Sequence, residues 1–230
     1  MTEDFHGMRP IQRKLLAEGL GTAFLLIGVV GSGIMGEALA DGNVAITLLA
    51  NAIATGCILY VLITTLGPIS GAHLNPVVTL AFFLRKELPP RETLLYIPIQ
   101  IIGGILGVWV AHFMFDLELL QFSQKLRTSP SQWFSEAIAT FGLLFCIFGG
   151  LKSRPEAVPT LVALYITGAY WFTASTSFAN PAVTIARTFS DTFAGIAPEN
   201  APMFIVMQVV GLAAAMIILP RLFLRERRNP

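Results

Sequence analysis

The chain has 230 residues, 54% of them hydrophobic and only 13% charged, with a net charge of +1 and a mean hydropathy of +0.70. Soluble domains average about 25% charged residues, so an ordinary soluble fold is excluded and one membrane domain, 1–230, with short loops is expected. The near-zero net charge identifies no partner, and nucleic acid is not among those expected.

The opening stretch MTEDFHGMRPIQRK carries both signs of charge and no signal-peptide pattern, so the first span is expected to stay attached. A helix needs roughly 20 apolar residues to cross about 30 Å of hydrocarbon. Charge-free runs at 19–36, 93–115, 137–151 and 200–220 each fit one crossing, the third by borrowing the SQWFSEA before it. The runs 42–84 and 157–186 are too long for one helix, and each holds an Asn-Pro pair near its end. The predicted order is spans at 12–36 and 43–66, a half-span at 75–85, and spans at 92–115, 131–151 and 157–177. A half-span at 180–190 and a span at 202–224 complete it. Cys57 and Cys146 lie in apolar runs and read as small hydrophobes, not as a disulfide pair.

Six spans put both termini on one side. Arg9, Arg13, Lys14, Arg85, Lys86, Arg91, Lys152, Arg154, Arg221, Arg225, Arg227 and Arg228 fall there, against Lys125, Arg127 and Arg187 opposite. That asymmetry predicts cytoplasmic termini in a plasma or inner membrane. The basic tail RLFLRERRNP reads as an anchor at anionic headgroups. The small-residue stretch GGILG, 103–107, offers a face for close helix packing, inside a subunit or between subunits.

The two halves resemble each other. AEGLGTAFLLIGVVGSG from Ala17 matches SEAIATFGLLFCIFGG from Ser135, pairing Glu18 with Glu136, and NPVVTLA from Asn75 matches NPAVTIA from Asn180. Three spans per half make the copies, about 12–115 and 131–224, face opposite ways, and inverted repeats with broken helices meet at a midplane site.

Asn is a favoured helix cap and Pro a favoured first helical residue. Asn75-Pro76 and Asn180-Pro181 should therefore each start a helix. From Asn75 to Arg85 is about 15 Å, half a membrane. The non-helical backbone leading into each start is tolerated only against protein or a watery cavity. The carbonyls of Gly71, Ala72 and His73, and of Thr176, Ser177 and Phe178, become candidate pore-lining acceptors. Each Asn oxygen can accept a backbone N–H, which leaves its NH2 to donate into the cavity.

These motifs, SGAHLNPVVT and NPAV with the two early glutamates, resemble the aquaporin and aquaglyceroporin superfamily over essentially the whole chain. The resemblance implies an all-α membrane protein of six transmembrane helices and two re-entrant half-helices. It also implies a homotetramer with one pore per subunit that passes water and small neutral solutes through the bilayer, with no cofactor and no metal. It implies that Glu18 and Glu136 brace the re-entrant loops, and that His73 faces the cytoplasmic half of the pore. The first motif departs from the family pattern at Val77, where Ala is usual; the second, Asn180-Pro181-Ala182, is followed by Val183 where the family usually places Arg. Counting from the motifs puts Thr55, Gly168, Ser177 and Val183 around the narrowest ring, which is then wide and uncharged.

Arg187 lies four residues after Val183, on the same helix face. Two readings are open: a charge in the outer vestibule, or a structural pair with Asp191. Half-helix starts carry about +0.5 charge each, and dehydration of an ion costs several kcal/mol. Cation exclusion should then be weakened by Val183 without being abolished. A roomy, uncharged ring suits neutral polyhydroxy solutes. The chain resembles bacterial members linked to arsenic resistance, which puts metalloid hydroxides such as arsenite first, ahead of glycerol, urea and water. An ion-coupled transporter would need an ionisable midplane site, and none is evident. An enzyme is not expected, since no HExxH, Ser–His pairing or metal-ligand cluster occurs.

Overall fold

The computed structural model describes residues 8–223, which form eight α-helices joined by short loops. His6, Arg225, Arg227, Arg228 and most of the basic C-terminal stretch lie outside the described residues. The helices are α1 (Pro10–Leu39), α2 (Val44–Ser70), α3 (Pro76–Leu84), α4 (Pro90–Met114), α5 (Pro130–Ser153), α6 (Val158–Phe172), α7 (Pro181–Arg187) and α8 (Ala201–Leu222). The order long, long, short, long therefore occurs twice.

Local chemistry sets most of the boundaries. Asn43 caps α2 by accepting from the amides of Ala45 and Ile46. Ser129 and Gln132 form a reciprocal capping box at α5, with Pro130 at its first turn. Gly71, at φ 90°, ends α2 in the left-handed region that glycine tolerates best. That end is four residues beyond the expected 66, because Pro68 still fits inside the helix. Three helix ends shorten by two residues or more: α6 stops at Phe172 instead of 177, α7 at Arg187 instead of 190, and α8 at Leu222 instead of 224.

Among the described residues, five helices are long and apolar enough to cross a membrane. The sixth crossing, α6, has only 15 residues, or about 22 Å. A 3-10 turn at Pro155–Ala157 extends it at one end, and an extended chain from Thr173 leads on at the other. Large apolar side chains such as Leu20, Phe24, Ile53, Ile102 and Ile217 are exposed on the outside, whereas Glu18, Gln100, Glu136 and Gln208 are buried. This polarity is inverted relative to a water-soluble protein, as an apolar solvent requires. Cys57 is exposed, Cys146 half-buried, and both thiols are free.

Contacts between helix ends fix which ends share a face. Lys14 and Glu92 pair at 2.9 Å, joining the starts of α1 and α4. Lys152 donates to the Phe223 carbonyl at 2.6 Å, and Arg85 lies 4.3 Å over Phe148, joining the ends of α3, α5 and α8. These ends carry most of the Lys and Arg, while Lys125 and Arg127 sit on the α4–α5 loop at the opposite face.

The GGILG face packs inside the chain. A β-carbon on Gly103 or Gly107 would collide with the backbone of Gly19 or Ala23 in α1, and one on Gly211 with the backbone of Ala137 in α5. The last helix of each half is thus seated backbone to backbone on the first. Gly107→Val should destabilise the protein by roughly 1–3 kcal/mol or more through overpacking against main chain that cannot rotate away. A lower thermal unfolding midpoint in detergent is the expected readout, with Gly67→Ala, where the space is open, as the tolerated control.

Candidate functional site

The two loops that precede α3 and α7 use backbone found in neither helices nor strands. Ala72 and Leu74 have φ of 47° and 49°, and Thr176, Ser177 and Ala179 have 64°, 52° and 47°. Each such conformation costs an L-residue of order 1–3 kcal/mol, and two buried carboxylates hold them in place. Glu18 accepts from Ser70 Oγ at 2.6 Å, the amides of His73 and Leu74 at 3.0 and 2.7 Å, and Gln100 Nε2 at 2.8 Å. Glu136 accepts from Ser175 Oγ at 2.6 Å, the amides of Phe178 and Ala179 at 2.9 Å each, and Gln208 Nε2 at 2.6 Å. Each glutamine also donates to a half-helix threonine, Thr79 or Thr184, at 2.9 Å.

Turning the amides toward the carboxylates turns other peptide oxygens the opposite way. The carbonyls of Gly71, Ala72, His73, Ser177 and Phe178 accept no hydrogen bond from the described chain, and all five residues line one cavity of about 130 Å³. Thr176 is absent from that lining. The remaining wall is mostly aliphatic, including Leu25, Val29, Ile63, Val78, Leu143 and Ile147.

Asn75 and Asn180 line the cavity where the short helices meet. Asn75 Oδ1 accepts from the Val77 amide at 2.9 Å, and Asn180 Oδ1 from Ala182 at 2.9 Å and Val183 at 3.3 Å. The NH2 groups do more than face the cavity. Asn75 donates to the Ala179 carbonyl and Asn180 to the Leu74 carbonyl, each at 2.8 Å. One hydrogen of each amide therefore ties its loop to the opposite loop, and the other remains for the cavity. Pro76, Val77, Pro181 and Ala182 are buried behind this point and are not part of the lining.

The expected ring is only partly assembled. Thr55, Ser177 and Val183 line the cavity, whereas Gly168 does not. The lining residues of α6 are Val158, Val162, Ile166 and Tyr170, a stripe at intervals of four. Gly168 is two residues out of phase and turned away. Tyr170 takes its place, with its hydroxyl 3.1 Å from Thr55 Oγ1. Thr55, one of the two hydroxyls expected there, is already engaged by that contact. Ser177 Oγ is buried with no protein partner.

Arg187 also lines the cavity. It does not pair with Asp191, whose carboxylate accepts from the Gln124 amide at 2.8 Å. Its Nε donates to the Ala194 carbonyl, and its guanidinium lies 3.4 Å over the Phe178 ring. Arg127 is stacked on the same ring at 5.1 Å and donates to Gly195 at 2.9 Å and Ser175 at 3.3 Å. Lys125 donates to the Phe193 carbonyl at 2.7 Å. Its ammonium pKa is lowered to about 8, by burial first and then by Arg127 and Arg187.

His73 lines the other end of the cavity, stacked on Phe82 at 4.6 Å with Nδ1 3.2 Å from Thr79 Oγ1. His112 is a packed histidine between Leu119 and Ser190. Among the described residues no cluster of His, Cys, Asp or Glu could hold a metal ion.

Several of these partners escaped the sequence reading. Gln100 and Gln208 carried a readable signal, since Gln100-x-x-Gly103 recurs as Gln208-x-x-Gly211 in the second half. Tyr170 was readable from the four-residue stripe. The placements of Arg127 and Phe178 depend on loop geometry that no local pattern announces.

A family model described as major intrinsic protein matches residues 8–175. The chain is 52% identical over 209 residues to aquaglyceroporin AqpS of Rhizobium meliloti, covering 91% of this chain and 89% of that protein. It is 33% identical over 186 residues to aquaporin NIP1-1 of Arabidopsis thaliana, covering 71% and 62%. The X-ray structure of the aquaglyceroporin from Plasmodium falciparum superposes with a TM-score of 0.71 at 20% identity, over 90% of this chain and 93% of that one.

Glu136→Gln would set an NH2 group against donors that now share a carboxylate. Each buried donor left without an acceptor costs about 1–3 kcal/mol. The variant should lose thermal stability and most solute flux together, measured by unfolding in detergent and by stopped-flow light scattering in proteoliposomes. Glu18→Gln should behave alike, because its donor set is the same in kind.

Proposed function

This chain belongs to the major intrinsic protein family, whose members are passive channels, and on that premise we propose a conduit for small neutral polar solutes. Metalloid hydroxides such as arsenous acid come first among these, together with glycerol, urea and water. The observation that carries the reading is the polar track along the cavity. Five unclaimed carbonyls and the two Asn amides follow one another along a wall that is otherwise aliphatic. Such a track replaces the hydration of a neutral hydroxylated molecule at each step and offers an ion too little to replace its own. The apolar remainder accommodates the carbon or metalloid side of the solute.

Tyr170 modifies the expected selectivity. A phenol within the ring reduces its width but keeps a hydroxyl there, which favours compact polyhydroxy solutes over long ones. The name of the relative that is 52% identical, an aquaglyceroporin, supports the same class. Coupled transport is disfavoured, since no Asp, Glu or Lys lines the cavity and both buried glutamates are saturated by four donors each. The protein acts in a plasma or inner membrane with the basic face cytoplasmic, as a tetramer of identical subunits that each hold a pore.

Proteoliposomes should take up arsenous acid, glycerol and urea down their gradients at rates unaffected by collapsing a proton or sodium gradient. Uptake against a solute gradient, driven by either ion, would refute the channel reading. Tyr170→Ala should raise glycerol flux relative to water flux several-fold, and an unchanged ratio would remove Tyr170 from the ring.

A further inference from the structure

Val183 leaves the wall of the constriction without a charge at the position after Asn180-Pro181-Ala182. The charge returns from elsewhere. Side chains on a helix lean toward its N-terminus, so a residue one turn later, about 5.4 Å along the axis, reaches back to the level it follows. An arginine arm spans that distance, and a valine at the earlier position leaves room for it.

The guanidinium of Arg187 is seated. Nε is bound to the Ala194 carbonyl, and the plane rests 3.4 Å over Phe178. The residue is 2% exposed, and its terminal nitrogens meet no acceptor among the described residues. The ion pairs of the described chain, Lys14–Glu92 and Arg85–Glu87, are both at the basic face. A buried guanidinium must still be solvated, and what remains to solvate it is the content of the cavity. Ser177, whose buried Oγ has no protein partner, lines the same cavity.

Resting on the channel reading, we propose that Arg187 is the specificity-determining charge of the outer constriction, delivered from one turn beyond Val183 and aimed by Phe178 and the Ala194 carbonyl. With Ser177 it forms a fork-and-hydroxyl subsite that grips the oxygen of a neutral solute and repels a cation. One full charge at the ring equals the two half-helix starts together, so cation exclusion is stronger than Val183 alone would suggest.

The test compares Arg187→Met, Val183→Arg and the double variant with wild type in proteoliposomes. Glycerol flux and proton or potassium leak are read on the same vesicles. Wild type should pass glycerol with little leak, and absence of that flux would count against the channel reading itself. In Arg187→Met, leak should rise on the order of a hundredfold, and glycerol flux should shift with the loss of the fork. Leak at the wild-type level would overturn the proposal. Val183→Arg keeps Arg187 and does not depend on tolerating its loss. Two guanidiniums would then compete for one space, and glycerol flux should fall at least about tenfold. Combining it with Arg187→Met should restore both flux and tightness. Flux in Val183→Arg within about twofold of wild type would show the ring empty of Arg187 and would also overturn the proposal.

Discussion

Glu18 and Glu136 each sit fully buried in an apolar bundle, and each collects four hydrogen bonds: one hydroxyl, two consecutive backbone amides and one glutamine. An unpaired carboxylate in such a place would be prohibitively expensive. Once satisfied, it dictates the loop beside it. Here the two successive amides reach one carboxylate from a chain held in left-handed turns at Ala72 and Leu74, and at Ser177 and Ala179. The outward row of carbonyls is the other side of those same peptides. Loop shape, polar track and helix start thus follow from one contact, made twice.

The two copies are then hooked together. Each asparagine caps its own half-helix through its oxygen and binds the opposite loop through its nitrogen. Neither half can shift along the membrane normal without breaking both bonds. This geometry suits a static passage better than a rocking carrier, which needs the halves to move as bodies. The glycine seams between α1 and α4 and between α5 and α8 stiffen each half in the same sense.

Much of this was legible. Charge-free runs gave the six crossings, because lipid excludes charge over a fixed thickness. Asn-Pro gave the half-helix starts, because capping chemistry is local. The limits were equally physical. Counting back from Asn180 across an extended loop loses helical phase and lands on position 168, whereas the inward stripe holds 166 and 170. A local i to i+4 relation suggested Arg187 with Asp191, whereas the fold sends the arginine inward to Phe178 and the aspartate to the Gln124 amide. The asparagine cross-link joins residues more than a hundred positions apart and leaves no mark on either segment alone.

The shortness of α6 bears on the surrounding lipid. Its 15 residues give about 22 Å of regular helix, against roughly 30 Å of hydrocarbon in an average bilayer. Trp171, exposed at one end, is of an aromatic type that settles at headgroup level. The 3-10 turn at Pro155–Ala157 and the chain from Thr173 make up part of the difference, and the acyl chains beside this wall meet the rest at a fraction of a kcal/mol per ångström of mismatch.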